Sequence, residues 1–320
     1  MGKAIPRCGT CHPAPNAVRP ESVSQSEQAI GGQLSQERCE VHGPLVEVWT
    51  DDHIRFGRGP EWQERLRTAI RTRCRQLTPS PEQVLHATFF GAKPANADVE
   101  NLVLYNIDSF AIAGSNGIRF ELGAAVPPTP DGAEYPFCYR YALAPQSGSY
   151  VNWKERRTLA SFDWTDLGAF AGEKRLAQVW LALARGQGDV VEPARSPDTP
   201  FAVRVEIRPP TGTRPVLGGL VKGIFDGVIC AFQAHTDTAV LPEVAARIAR
   251  ALSTDPAEIQ RHLLDQRRAV LGAVPRLVDI YRTGVKWDPV DHLCMAGELL
   301  PAEPVGPRWA IRGEIVELSH

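Results

Sequence analysis

At 320 residues the chain is long enough for two domains of ordinary size or one large one. A formal net charge of −2 with 22% charged residues excludes a global field that would draw it to nucleic acid or membrane, so any polyanion site must be local. Hydrophobic residues make up 43%, enough for a sizeable core, yet no apolar stretch reaches the ~18–20 residues of a membrane span.

Residues 1–43 are polar and rich in Ser, Gln, Gly and Pro, with no apolar periodicity and so no core of their own. The opening "MGKAIPRCGTCHPAPN" has no apolar centre of the signal-peptide kind, and Pro6 breaks the myristoylation pattern that Gly2 begins. A cytoplasmic protein with reduced thiols is therefore expected, its seven cysteines being too scattered for a disulfide framework. Cys8, Cys11, Cys39 and His42 are spaced as two C-x2-[CH] pairs. Two such pairs can staple a coreless segment around Zn2+, which takes four soft or borderline ligands in a tetrahedron. The other reading is a polar tail with stray cysteines. "CGTCH" also matches the haem c attachment pattern, but the expected lack of export leaves that chemistry without a compartment.

The folded part is expected to start with an alternating strand, "PLVEVWT" (44–50). A helix follows over 60–75, with Pro60 in its first turn and Trp62, Leu66, Ile70 and Cys74 recurring every four residues as a buried stripe. Its other faces carry Arg65, Arg67, Arg71, Arg73 and Arg75, which could contact phosphates or simply be solvated. A strand at 84–92 and a helix at 98–108 come next, then a short strand at 116–123 and an aromatic strand at 135–144. Phe137, Tyr139 and Tyr141 share one face of that strand, either packed under a helix or free to stack on bases. The second half gives a helix at 173–186, a strand at 201–209 and a helix at 218–228. Two more helices follow, the second opening on a capping box of Asp255, Pro256 and Glu258. Strand-like segments at 283–293 and 307–318 end the chain.

Self-similarity organises these elements. Residues 84–108 lie without gaps on 202–226, so Leu102 and Val103 fall on Leu220 and Val221, and Asp108 falls on Asp226. "NGIRFE" (116–121) echoes "TGVKWD" (283–288), "FCYRYAL" (137–143) echoes "WAIRGEI" (309–315), and the helix at 60–75 has its counterpart at 173–186. The expectation is an α/β protein with a polar segment at 1–43 and two similar halves, 44–150 and 151–320. Each half would be helix–strand–helix–strand–strand, the two forming an intrachain pseudo-dimer, with a helical insertion at about 229–282 in the second.

The chemistry centres on "ADVENLVLYNID" (97–108). Asp98 and Glu100 could be no more than an N-cap and a first-turn acid that suits the helix dipole. They could also reach one Mg2+ from the loop entering the helix, provided a third acid joins them. Glu121 on the following strand is the expected third ligand, with Asp108 second. In the other half Val216 and Gly218 stand in place of the two acids, while Asp288 and Asp291 remain further on.

A strand, then D-x-[DE]-N-L at a helix start, then a short strand with acids resembles the RusA family of Holliday-junction resolvases. Asp98, Glu100, Asn101 and Leu102 carry that resemblance, with Glu100 for the second Asp of the family motif. "GVKWDPVD" (284–291) is similar to the family's later acidic segment, and the basic residue expected in the helix is Lys222 in the second half but Leu104 in the first. Members are small α/β homodimers that use clustered acids and magnesium to cut branched DNA. The resemblance therefore implies a fused, partly degenerate pseudo-dimer, with Asp98, Glu100 and Glu121 holding Mg2+ as the catalytic set and Arg65, Arg67, Arg71, Arg73 and Arg75 meeting the nucleic acid, DNA or RNA. Two readings stay open: a Mg2+-dependent endodeoxyribonuclease, and a non-catalytic nucleic-acid-binding or scaffold subunit of a multiprotein complex. No membrane partner is expected.

Overall fold

A computed structural model describes residues 37–42 (as backbone), 45–55, 57, 59–95, 97–107, 112–170, 172, 175–186, 189–192, 194 and 196–320. Cys8, Cys11 and Asp108, and the side chains of Cys39 and His42, lie outside the described residues, so the zinc expectation and the Asp108 alternative do too.

In chain order the elements are β1 (Glu37–His42), β2 (Leu45–Thr50), α1 (Glu61–Cys74), β3 (Gln83–Phe90), α2 (Val99–Leu104), β4 (Ile118–Gly123) and β5 (Phe137–Pro145). They continue with β6 (Lys154–Gly168), α3 (Arg175–Arg185), β7 (Asp189–Val190), β8 (Phe201–Arg208), α4 (Val221–Ala231), β9 (Ala234–His235), α5 (Leu241–Leu252) and α6 (Pro256–Leu263). The last are β10 (Ala273–Val274), β11 (Val278–Tyr281), β12 (Gly284–Trp287), β13 (Cys294–Pro301) and β14 (Trp309–Ser319). The protein is thus mixed α/β. Among the described residues no helix is long and apolar enough to cross a membrane.

Ten strands form one mixed sheet in the order β1-β2-β5-β3-β4-β13-β8-β14-β6-β7. β3 and β4 run parallel, which requires a crossover, and α2 supplies it. β8 and β13 are also parallel, with α4 and a long excursion between them. β5 flanks β3 and β14 flanks β8, both antiparallel. β4 and β13 meet antiparallel at the centre, where Arg119 faces Glu298 and Phe120 faces Gly297.

Two expectations about the repeat change here. Residues 284–287 are not a strand of the main sheet: β12 pairs only with β11, in a separate two-stranded hairpin. The strand beside β8 is β13 instead, so the excursion runs over 232–293 rather than 229–282. β6, at 15 residues the longest strand, is also absent from the sequence reading. Its charged residues and several register shifts against β14 break the period of two that marks a strand.

The sheet has two unlike faces because side chains alternate along each strand. Leu85, Ala87, Phe89, Phe120, Tyr139, Tyr141, Val203 and Val205 are buried in one core with Leu66, Ile70, Cys74, Val103, Val179, Trp180 and Ile224 of the helices. The aromatic strand face is therefore a packing face: the Tyr141 hydroxyl donates to the Val103 carbonyl (2.9 Å) and Tyr139 accepts from the Ile54 amide (2.7 Å). The other face carries ion pairs between direct cross-strand neighbours, Glu47–Arg140, Arg119–Glu298, Arg204–Glu314 and Glu206–Arg312.

At the central seam Gly297 leaves no room for a side chain. A Cβ there would lie 2.3 Å from Phe225 Cε1 and 2.4 Å from Phe120 Cζ. Gly297→Val is expected to lower the unfolding free energy by about 1–3 kcal/mol, read from denaturant unfolding, because the two rings must leave their rotamers.

Candidate functional site

α2 begins at Val99 after the extended residue Asp98, whose side chain does not cap the helix. Asp98 Oδ2 instead accepts from Asn101 Nδ2, one turn on, and from Lys222 Nζ at 2.5 Å. The capping reading of this acid therefore does not hold. Lys222 lies on α4, which packs beside α2 across the central seam. Its ammonium also meets Asp226 Oδ1, one turn along α4, at 3.0 Å, Asp291 Oδ2 at 3.1 Å and Glu100 Oε1 at 3.6 Å. Asp291 opens a short 3-10 turn just before β13.

Four carboxylates from three chain segments thus surround one ammonium. Phe120, Phe225, Ile229 and Cys294 line the same small hollow. Glu100 is 7% exposed, and its Oε1 has no hydrogen-bond partner. Burial pushes the Glu100 carboxyl up to about 8 against the pull of Lys222, and the neighbouring acids push the same way. Burial likewise raises Asp226 to about 7 and raises Asp291, which the neighbouring Asp98 pushes the same way. For Lys222 burial opposes the charge, but the four acids outweigh it and hold the ammonium well above the usual lysine range. A second amine is near: burial lowers Lys93 although Asp98 and Asp291 favour its charge, and its Nζ donates to the Ala97 carbonyl at 2.9 Å.

Glu121, the expected third ligand, is not brought to this cluster. It follows Phe120 on β4 and so points to the opposite face of the sheet. There it meets His86 Nε2 at 2.9 Å and accepts from the amides of Val151 (3.0 Å) and Asn152 (2.8 Å). Although burial opposes its charge, these partners hold its carboxyl below the usual range. Its observed work is to hold the chain between β5 and β6 against the sheet.

The arginines of α1 also divide. Arg67 is 3% exposed and donates to the carbonyls of Arg55 and Gly57 and to Glu64, so it does not face a ligand. It lies one position past Leu66 in the buried stripe, where an arginine enters the core edge by snorkelling inward to carbonyls. Arg71 is half-buried; Arg65, Arg73 and Arg75 are exposed.

Lys222, Asp226 and Asp291, which the sequence offers only as counterparts in the second half, join the centre although they stand outside the expected metal set. The signal was present: Lys222 and Asp226 are one helical turn apart in an otherwise apolar helix, a costly placement unless both are paired. Among the described residues no three His, Cys, Asp or Glu side chains stand ready to hold a metal ion, the ammonium occupying the centre of the four acids. No family model, curated protein or solved structure matches the chain.

Glu100 and Asp226 stay protonated in the folded chain at pH values where an unfolded chain has released those protons. Folding therefore binds protons between about pH 4 and pH 8, and stability falls as pH rises through that window. The slope is expected to approach about 1.4 kcal/mol per pH unit for each group. Glu100→Gln should flatten it and raise the melting temperature at pH 8, as scanning calorimetry over pH 5–9 would record.

Proposed function

We propose that the chain is a fused duplication of a RusA-like fold with one composite acidic centre, and that it acts on branched DNA as a divalent-metal-dependent endonuclease. The duplication is supported by the neighbour pattern β5-β3-β4 and β14-β8-β13, which is the same on either side of the β4–β13 seam in order and direction. The ungapped match of 84–108 with 202–226 also begins on corresponding strands, β3 and β8. The unequal acids then have a simple account. One half supplies Asp98 and Glu100, the other Lys222, Asp226 and Asp291, so a single centre draws on both.

The observation that carries the catalytic reading is the surplus of buried acid over base. Four carboxylates face one ammonium, and Glu100 Oε1 is buried without a hydrogen-bond partner. An all-oxygen donor set whose carboxyls can give up protons to a dication fits Mg2+ in its chemistry, and the Lys222 side chain, 45% exposed, has a way out to solvent. Asp98, Glu100, Asp226 and Asp291 would hold the ion, which when bound lowers the pKa of a coordinated water and neutralises phosphate charge. Lys222, displaced toward solvent, would remain close enough to pair with a phosphate oxygen. Arg65, Arg73 and Arg75 offer cationic positions for the backbone.

The second reading, a nucleic-acid-binding or scaffold subunit without catalysis, draws on the same lysine: its ammonium stands among the acids and satisfies much of what a metal would. Incubating the chain with a four-way DNA junction and Mg2+ separates the two. The catalytic reading expects strand cleavage, reduced to background by Asp98→Ala. Junction binding without cleavage would support the scaffold, and absence of both overturns the nucleic-acid proposal. Independently, Mg2+ added at pH 7 in weak buffer should release protons, since Glu100 and Asp226 must ionise to ligate. No proton release would remove the metal from the account.

A further inference from the structure

The excursion at 232–293 ends in the hairpin β11–β12, whose base lies beside the acidic centre. The Asp288 amide bonds back to the Leu277 carbonyl at 2.9 Å and closes the base, and Asp291 follows three residues later. Strands of four residues place the tip roughly 13 Å further out. The hairpin is held firmly. Val285 and Trp287 pack against the core, Trp287 meeting Trp180 with ring centroids 5.3 Å apart. At the turn, Arg247 of α5 donates to the carbonyls of Arg282 (2.6 Å) and Gly284 (2.9 Å), while Glu243 orients its guanidinium from one turn away (2.7 Å).

What this brace presents is unusual. Ile280 is 41% and Tyr281 50% exposed, among the large apolar side chains left in solvent. Arg282 has φ 48°, in the left-handed region that hairpin turns normally fill with Gly, Asn or Asp. Its guanidinium lies over the Tyr281 ring, 5.1 Å from the centroid, and among the described residues it forms no ion pair. A braced tip with an exposed aromatic ring and a cation that forms no ion pair among the described residues is suited to a partner with flat apolar faces joined by negative charge.

We propose that the Tyr281–Arg282 tip contacts unpaired bases of a nucleic acid, Tyr281 stacking on an unstacked base and Arg282 pairing with the adjoining phosphate. Continuous duplex keeps its bases stacked, so the tip favours branch points and frayed ends, the features that distinguish branched DNA from duplex. The inference rests on the nucleic-acid reading above and adds the part of the chain that would recognise the branch.

The test is fluorescence anisotropy with the full chain, comparing a forked DNA with a duplex of equal length, with EDTA present to prevent cutting. Tyr281→Ala is expected to weaken fork binding about five- to tenfold and duplex binding less than twofold, while Tyr281→Phe keeps both. Arg282→Gly, which relaxes the turn, should likewise weaken fork binding more than duplex binding and lessen the salt dependence of fork binding. Fork binding unchanged in Tyr281→Ala, or an equal loss on both DNAs, overturns the role of the tip. If the wild-type chain still binds, the nucleic-acid reading survives that result; a wild-type chain that binds neither DNA overturns both.

Discussion

The arrangement that the rest depends on is the burial of four carboxylates against a single ammonium where α2, α4 and the turn before β13 converge. Charge of one sign is costly away from water unless it is paired, protonated or bound to a cation. Lys222 supplies one counter-charge, and burial favours the protonated forms of Glu100, Asp226 and Asp291. Breaking the cluster by removing only the lysine would leave its acids uncompensated, so the centre and the seam beside it stand or fall together.

That seam is built from small and flat residues. Gly297 lets Phe120 and Phe225 meet over the strand, with ring centroids 5.4 Å apart, and these rings line the hollow under the acids. On the opposite face Arg119 and Glu298, facing each other across β4 and β13, tie the same two strands by a buried charge pair. One pair of strands thus carries an apolar floor for the site on one side and an ionic clasp on the other. The cross-strand Arg–Glu pairs extend outward from that clasp and balance the charge of this face.

Much of the fold was legible because apolar periodicity reports local geometry. The stripe of Leu66, Ile70 and Cys74 in α1, the strands β3 and β8, and the Asp255 cap of α6, which accepts from the Ala257 amide at 3.0 Å, all lie where the sequence puts them. Glu258, read as the other half of a capping box, turns instead to Arg185 of α3, because a charged partner there outbids a backbone amide. β6 and β13 were illegible for different reasons. The first is charged and bulged. The second, "CMAGELLP", lacks β-branched residues and is held as a strand by β4 and β8 on its two sides.

The sequence by itself determined that the chain is α/β, where most helices and strands lie, which faces are apolar, and that two acids sit at the entrance of α2. It also carried the likeness between 84–108 and 202–226. Tertiary structure alone decided what those acids meet. Lys222 is 124 residues from Asp98, and Asp291 a further 69 beyond it, separations at which no local pattern relates side chains. It also decided against Glu121, since the same alternation that made β4 readable turns Glu121 to the face away from α2 once Phe120 is committed to the core.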